Sequence, residues 1–144
     1  MSLPVGRRIA IDLGLTRNGI AISDREGIFA TPLGSYSDEE LLLTLKELAA
    51  EDDVLCIYVG LPKHLSGNEG SSAVLAREKA KIIAELDIAP VYLVDERLST
   101  KSAERETEAV KRFGIDAVAA GQILEFALQG ERSKGNLFGE MFNG

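Results

Sequence analysis

The chain has 144 residues, 45% hydrophobic and 27% charged, which is the balance of one globular domain with a buried core rather than of a disordered segment. With 23 Asp and Glu against 16 Lys and Arg, the net charge is -7, which argues against a protein that grips phosphate backbones by bulk positive charge. Any such grip needs bound cations or a local arginine cluster. Apolar runs such as 54–59 are too short to cross a bilayer, residues 1–8 lack the apolar core of a secretory signal, and the single cysteine, Cys56, has no internal partner. A reducing, cytoplasmic location away from membranes is expected.

The isoleucine-rich segment Arg8 to Leu13 reads as a strand stopped by Gly14, and Gly19 to Ser23 as a second after a tight connection. Ile28 to Leu33, after the turn signal Glu26-Gly27, reads as a weaker third. Links this short require antiparallel neighbours, because a parallel crossover needs a dozen or more residues. Asp38 to Glu51 is a helix: Ser37 or Asp38 can cap it, Glu39 and Glu40 suit its positive start, and Leu41, Leu42, Leu45 and Leu48 form one apolar stripe. Val54 to Val59 is continuously apolar, as expected of a strand covered on both faces. Gly60 to Gly70 follows as a loop. A helix from about Ser71 to Leu86, a strand Val91 to Asp95 and two helices, Ser99 to Phe113 and Ile115 to Leu128, complete the order. The whole predicts an α/β domain over residues 1–130. Its mixed five-stranded sheet would begin as an antiparallel meander and carry helices on both faces. Residues 131–144 read as a glycine-rich tail whose Leu137, Phe138, Met141 and Phe142 could dock on the body or on another subunit.

Three acids break apolar surroundings. Asp12 ends the first strand, Glu96 follows Asp95 at the end of the last, and Asp116 opens the final helix. If the first and last strands are parallel, Asp12 and Glu96 leave the same sheet edge, roughly 10 Å apart across one intervening strand, with Asp116 laid over them. Taken singly, each is more often a cap or surface residue; joint placement at one edge favours a cation site instead. Converging carboxylates repel unless a cation or shared proton compensates, and Mg²⁺ or Mn²⁺ prefers such hard oxygen ligands. No Cys/His spacing suggests zinc, and His64 is the only histidine available to a metal-free nucleophile. Arg17 is a candidate phosphate clamp, as is Arg97, although either could neutralise Asp95 or Glu96. Arg7, Arg8, Lys63, Lys101 and Arg105 also flank these motifs. The Gly60 loop could equally cradle phosphate with its amides or be a plain connection.

Asp12-Leu13-Gly14 with Arg17 and residues 19–24, Gly60-Leu61-Pro62 with Gly67 and Glu69-Gly70, Asp95-Glu96-Arg97-Leu98-Ser99-Thr100, and Ile115-Asp116-Ala117 with Ala119-Ala120 together resemble the YqgF family across about residues 8–128. The Asp95–Thr100 string is the most specific element, whereas the first motif is shared with sugar kinases and chaperone ATPases. Asn18 departs from the pattern, standing where the family usually has an apolar residue. The resemblance implies an RNase H-like fold, hydrolysis of nucleic-acid phosphodiesters in 5′-end processing of the 16S ribosomal RNA precursor, and Asp12, Glu96 and Asp116 as both catalytic and metal-binding acids, with Asp95 in support. Arg17, Gly60, Lys63, Arg97 and Lys101 are then the candidate substrate contacts, Mg²⁺ or Mn²⁺ the cofactor, and a monomer or homodimer the expected state. Resolution of branched DNA at a Holliday junction is the alternative substrate. A binding module of the same fold without catalysis is a further alternative. A nucleotide-binding kinase fold normally closes two such domains, and this chain supplies one.

Overall fold

The computed structural model describes residues 3–14, 16–61, 71–95 and 114–142. Its elements are β1 (Arg7–Leu13), β2 (Asn18–Ser23), β3 (Ala30–Tyr36), α1 (Asp38–Glu51), β4 (Val54–Leu61), α2 (Ser71–Glu85), β5 (Val91–Asp95), α3 (Ile115–Lys134) and β6 (Glu140–Met141). The sheet runs β3-β2-β1-β4-β5-β6. β1, β2 and β3 form the expected antiparallel meander, and β4 lies between β1 and β5, parallel to both.

Alternation along the strands sends one set of side chains to each face. On one face Ile9, Ile11, Ile20, Ile57, Val59, Val91 and Leu93 pack against the apolar stripes of α1 and α2. On the other, Ala10, Ala21, Cys56, Tyr58 and Val94 receive Ala120, Ile123, Leu124, Ala127 and Leu128 of α3. Small residues on both sides of this second interface bring α3 close to the sheet. Helix α1 starts with a capping box: Ser37 Oγ accepts from the Glu40 amide at 3.2 Å while Glu40 Oε1 accepts from the Ser37 amide at 2.8 Å.

Two differences from the sequence reading have local causes. The third strand begins at Ala30, not Ile28, because Asp24 Oδ1 accepts both the Ile28 and Phe29 amides at 2.8 and 2.9 Å and holds them in a turn. The final helix continues through Gly130 to Lys134 and is closed by Gly135 in the left-handed conformation. Beyond it Phe138 packs over Gly130 and edge-on against Phe126 at 5.2 Å between ring centres, and residues 140–141 add a sixth strand beside β5. The helix Ser99 to Phe113 expected from the sequence lies outside the described residues.

The end of the sheet away from the candidate acids holds a buried ion pair. Arg8 donates to Glu131 Oε1 from Nη2 at 2.8 Å and from Nε at 3.1 Å, and both side chains are buried. Its remaining donors reach the carbonyls of Pro4, Gly6 and Arg25. Tyr58 donates its hydroxyl to Glu131 Oε2 at 2.5 Å and accepts the Phe138 amide at 3.1 Å. Every strong donor of this arginine has a partner, so Arg8 is a core residue that locks α3 to β1 and is not a phosphate ligand. Beside it, burial pushes the Cys56 thiol up to about 12, which leaves it an inert core residue.

Candidate metal and nucleic-acid site

One row of residues runs across the sheet at the carboxyl end of β1. Asp12 is in register with Gly19 of β2 on one side and Gly60 of β4 on the other; Gly19 in turn faces Ser35 of β3, and Gly60 faces Val94 of β5. Residues directly opposite share a face, and Ala10, Ala21 and Tyr58, two positions along their strands, lie under α3. Asp12 therefore points to the α3 face.

The two glycines flanking Asp12 explain how α3 reaches it. A methyl group on Gly19 would overlap the carbonyl of Asp116, and one on Gly60 would meet Cδ1 of Ile123. Without those side chains the first turn of α3 lies directly on β2, and the Asp116 backbone sits over the cross-strand neighbour of Asp12, about 5 Å from it along the ladder. Asp116 lies in the first turn, where a carboxylate suits the positive helix end. Ser35 donates its hydroxyl to Asp116 Oδ2 at 3.1 Å. Arg17 donates to the same serine, from Nη2 to the carbonyl at 2.7 Å and from Nε to Oγ at 3.3 Å, and stands 3.7 Å from Glu40.

The connection between β1 and β2 is held from the opposite face. Asn18 is fully buried; its Oδ1 accepts the Gly14 amide at 3.3 Å, and its Nδ2 donates to the Tyr36 carbonyl at 3.2 Å and to Asp38 Oδ1 at 2.9 Å. Lys79 of α2 reaches the Gly14 carbonyl at 2.6 Å and Asp38 at 3.0 Å. The hydrogen bond from Asn18 and then that from Lys79 hold the Asp38 carboxyl below its ordinary value. A polar residue at position 18 is thus explained: it closes the turn that carries Arg17 and ties it to α1 and α2.

Of the residues singled out from the sequence, Asp12, Asp116 and Arg17 gather at this edge. Gly60 is inside β4, enclosed by β1 and β5, rather than opening a loop. The room it leaves for Ile123 is its contribution to the packing of α3. Asp95 shares its parity with Val91 and Leu93, which pack toward α1 and α2. Glu96, Lys63, Arg97, Lys101 and Arg105 lie outside the described residues. Among the described residues no three acidic, cysteine or histidine side chains form a metal-holding group, and Asp12 and Asp116 are the two candidate acids that lie on this face. What the pair offers is hard oxygen, the donor type suited to Mg²⁺ or Mn²⁺. Ser35, Asn18 and Lys79 were not legible as site residues in the sequence.

A mixed sheet with an antiparallel meander, parallel central strands and a long helix over the first carboxylate is the RNase H-like arrangement. The chain belongs to the RuvX family, described as Holliday junction resolvase, which matches residues 6–130. A protein of Streptomyces avermitilis named "Putative pre-16S rRNA nuclease" is 39% identical, covering 97% of this chain and 96% of its own, and one of the same name from a Nocardioides species is 42% identical, covering 94% and 96%. In fold the chain is similar to Thermus thermophilus RuvC in complex with Holliday junction substrate: TM-score 0.56, 14% identity, 88% of this chain and 95% of that one. Among the described residues no helix is long and apolar enough to cross a membrane.

Proposed function

We propose that the chain is a divalent-metal-dependent nuclease that hydrolyses phosphodiester bonds of the 16S ribosomal RNA precursor at its 5′ end, in the cytoplasm. The observation that carries this reading is the row Ser35-Gly19-Asp12-Gly60, whose glycines bring Asp116 onto the face of Asp12 from the far end of the chain. The names of the Streptomyces and Nocardioides relatives supply the substrate.

Asp12, Asp116 and Glu96, the residue after β5, would hold Mg²⁺ or Mn²⁺. Bound there, such ions would supply Lewis-acid chemistry, suited to activating a water and to stabilising the leaving oxygen of a phosphodiester. Arg17, fixed at the rim through Ser35, would orient a phosphate, since its guanidinium fork matches phosphate oxygens. Lys63, Arg97 and Lys101 would add further backbone contacts from the flanking segments. The Asn18, Asp38 and Lys79 cluster keeps the connection bearing Arg17 in place from behind.

The test is cleavage of precursor 16S RNA, unrelated single-stranded RNA and a four-way DNA junction in parallel, with Mg²⁺ or Mn²⁺ and with chelator. Wild type should cut the precursor only with metal, and Asp12→Asn and Asp116→Asn should each lose at least about 10²-fold while keeping the wild-type circular dichroism. Cleavage of the junction alone would move the substrate to branched DNA. Equal cleavage by wild type and Asp12→Asn would remove the assigned chemistry.

A further inference from the structure

We propose that Ser35 is a positioning residue that presets the Asp116 carboxylate for a divalent cation and links it to Arg17. The inference rests on the metal site of the proposed nuclease and names a residue that sets its affinity.

Ser35 occupies the β3 end of the row that contains Asp12, directly across from Gly19. The Asp116 carboxylate therefore meets the Ser35 hydroxyl where the α3 backbone crosses Gly19. The direction of the hydrogen bonds is fixed by chemistry. A guanidinium has donors only, so Arg17 Nε must use an oxygen lone pair of Ser35, and the single hydroxyl proton is left for Asp116 Oδ2. Arg17 also holds the Ser35 carbonyl at 2.7 Å, which restrains the serine itself. Helix α3 offers no comparable restraint at its start, because Gly114 caps it without a side-chain hydrogen bond. One proton from Ser35 occupies one lone pair of a carboxylate that has about four acceptor sites, which leaves capacity for a cation. Hydrogen bonds of this kind behind a metal ligand typically alter metal affinity by about 10- to 100-fold when removed.

The experiment is a MnCl2 titration followed by thermal unfolding, with each protein read against its own metal-free Tm, for wild type, Ser35→Ala, Ser35→Thr and Asp116→Asn. Metal bound to the native state raises Tm, so the half-saturating Mn²⁺ concentration is readable without any cleavage assay. Reading each shift from its own baseline keeps a change in stability from masking a change in affinity. Ser35→Ala should raise that concentration about 10-fold or more, while Ser35→Thr, which keeps the hydroxyl, should stay close to wild type. A wild-type midpoint in Ser35→Ala, with Asp116→Asn impaired, would overturn the role of Ser35 and leave the nuclease reading standing. So would a Ser35→Thr protein as weak as Ser35→Ala, since shape and not the hydroxyl would then matter. Wild type and Asp116→Asn showing the same response would overturn the metal site and this inference with it.

Discussion

Gly19→Ala places one methyl group at the contact on which the candidate site is built. The new carbon would stand 2.8 Å from the Ala117 nitrogen and nearer still to the carbonyl of Asp116. Restoring ordinary separation, about 3.5 Å, requires the first turn of α3 to retreat from β2 by roughly 1 Å or more. The obstacle is backbone, so no side-chain rotation relieves it, and the cost belongs at the upper end of the roughly 1–3 kcal/mol usual for overpacking. Gly60→Ala, on the other side of Asp12, is the matched control: its methyl would meet only the Cδ1 end of Ile123 at 2.5 Å, which can turn aside. That variant should lose about 1 kcal/mol or less. Urea unfolding gives the two stabilities. Metal-dependent cleavage of the precursor RNA should fall by on the order of 10²-fold in Gly19→Ala, the effect expected when a reacting group is displaced by about 1 Å. A Gly19→Ala protein as stable and as active as wild type would show that α3 does not rest on β2 at Asp116, and the argument for the row would fail.

Glu131→Ala should lose about 3–5 kcal/mol in urea unfolding, because the Arg8 guanidinium stays buried without its counter-charge; the double replacement Arg8→Met with Glu131→Leu should recover most of it, and a loss below about 1 kcal/mol in the single variant would contradict the burial. The Cys56 thiol, ordinarily 9.0 and here about 12, binds its proton more tightly folded than unfolded, so its stabilisation is complete below pH 9 and is lost as pH rises toward 12. Wild type should therefore lose up to about 1.4 kcal/mol per pH unit more than Cys56→Ala above pH 9, and parallel curves would refute this. The Asp38 carboxyl is depressed below 3.8, chiefly by Asn18, so its stabilisation is present above that pH and lost on acidification. In Asn18→Leu its NMR titration should move up, and the acid limb of stability should become shallower; an unmoved titration would show that the Asn18 contact does not persist in solution.

The fold was readable where periodicity is strong. Continuous apolar segments gave β4 and β5, short links gave the meander, and the leucine stripe gave α1. Asp12 and Asp116 stood out because each interrupts an apolar environment. Ser35 did not, because Ile28 and Phe29 look like strand residues, and counting them in the strand pushed its expected end back to Leu33. Only the bond from Asp24 to their amides, a tertiary detail, shifts β3 along to include Ser35. Arg8 misled for a related reason. An arginine near a motif reads as a phosphate ligand, while its counter-ion, Glu131, is distant in sequence and sits in a segment that reads as tail. Gly130 reads as a helix breaker, yet Phe138 fills the space above it and the helix runs on. Packing outweighs propensity at such positions.

An acidic chain and a polyanionic substrate are compatible because of where the charges lie. Segments 62–70 and 96–113, which flank the candidate site in sequence, hold six of the 16 Lys and Arg and five of the 23 Asp and Glu, so the acid excess falls wholly in the rest of the chain. Much of that excess rides on α1, with Asp38, Glu39 and Glu40 in its first turn and Glu51 at its end, across the sheet from α3. Two cations there are engaged: Arg25 bonds Asp52 at 2.6 Å and Lys79 bonds Asp38. Layers of a folded domain are about 10 Å apart, and charges are screened over about 8 Å at physiological salt. Repulsion from α1 is therefore weak on the α3 face, while it disfavours approach to its own. On the proposed reading a nucleic acid would approach the α3 face, where the carboxylates would take up cations before a phosphate came near. Metal on this face would serve as both the chemistry and the charge reversal, which is how a protein of net charge -7 can hold a phosphodiester without a basic surface.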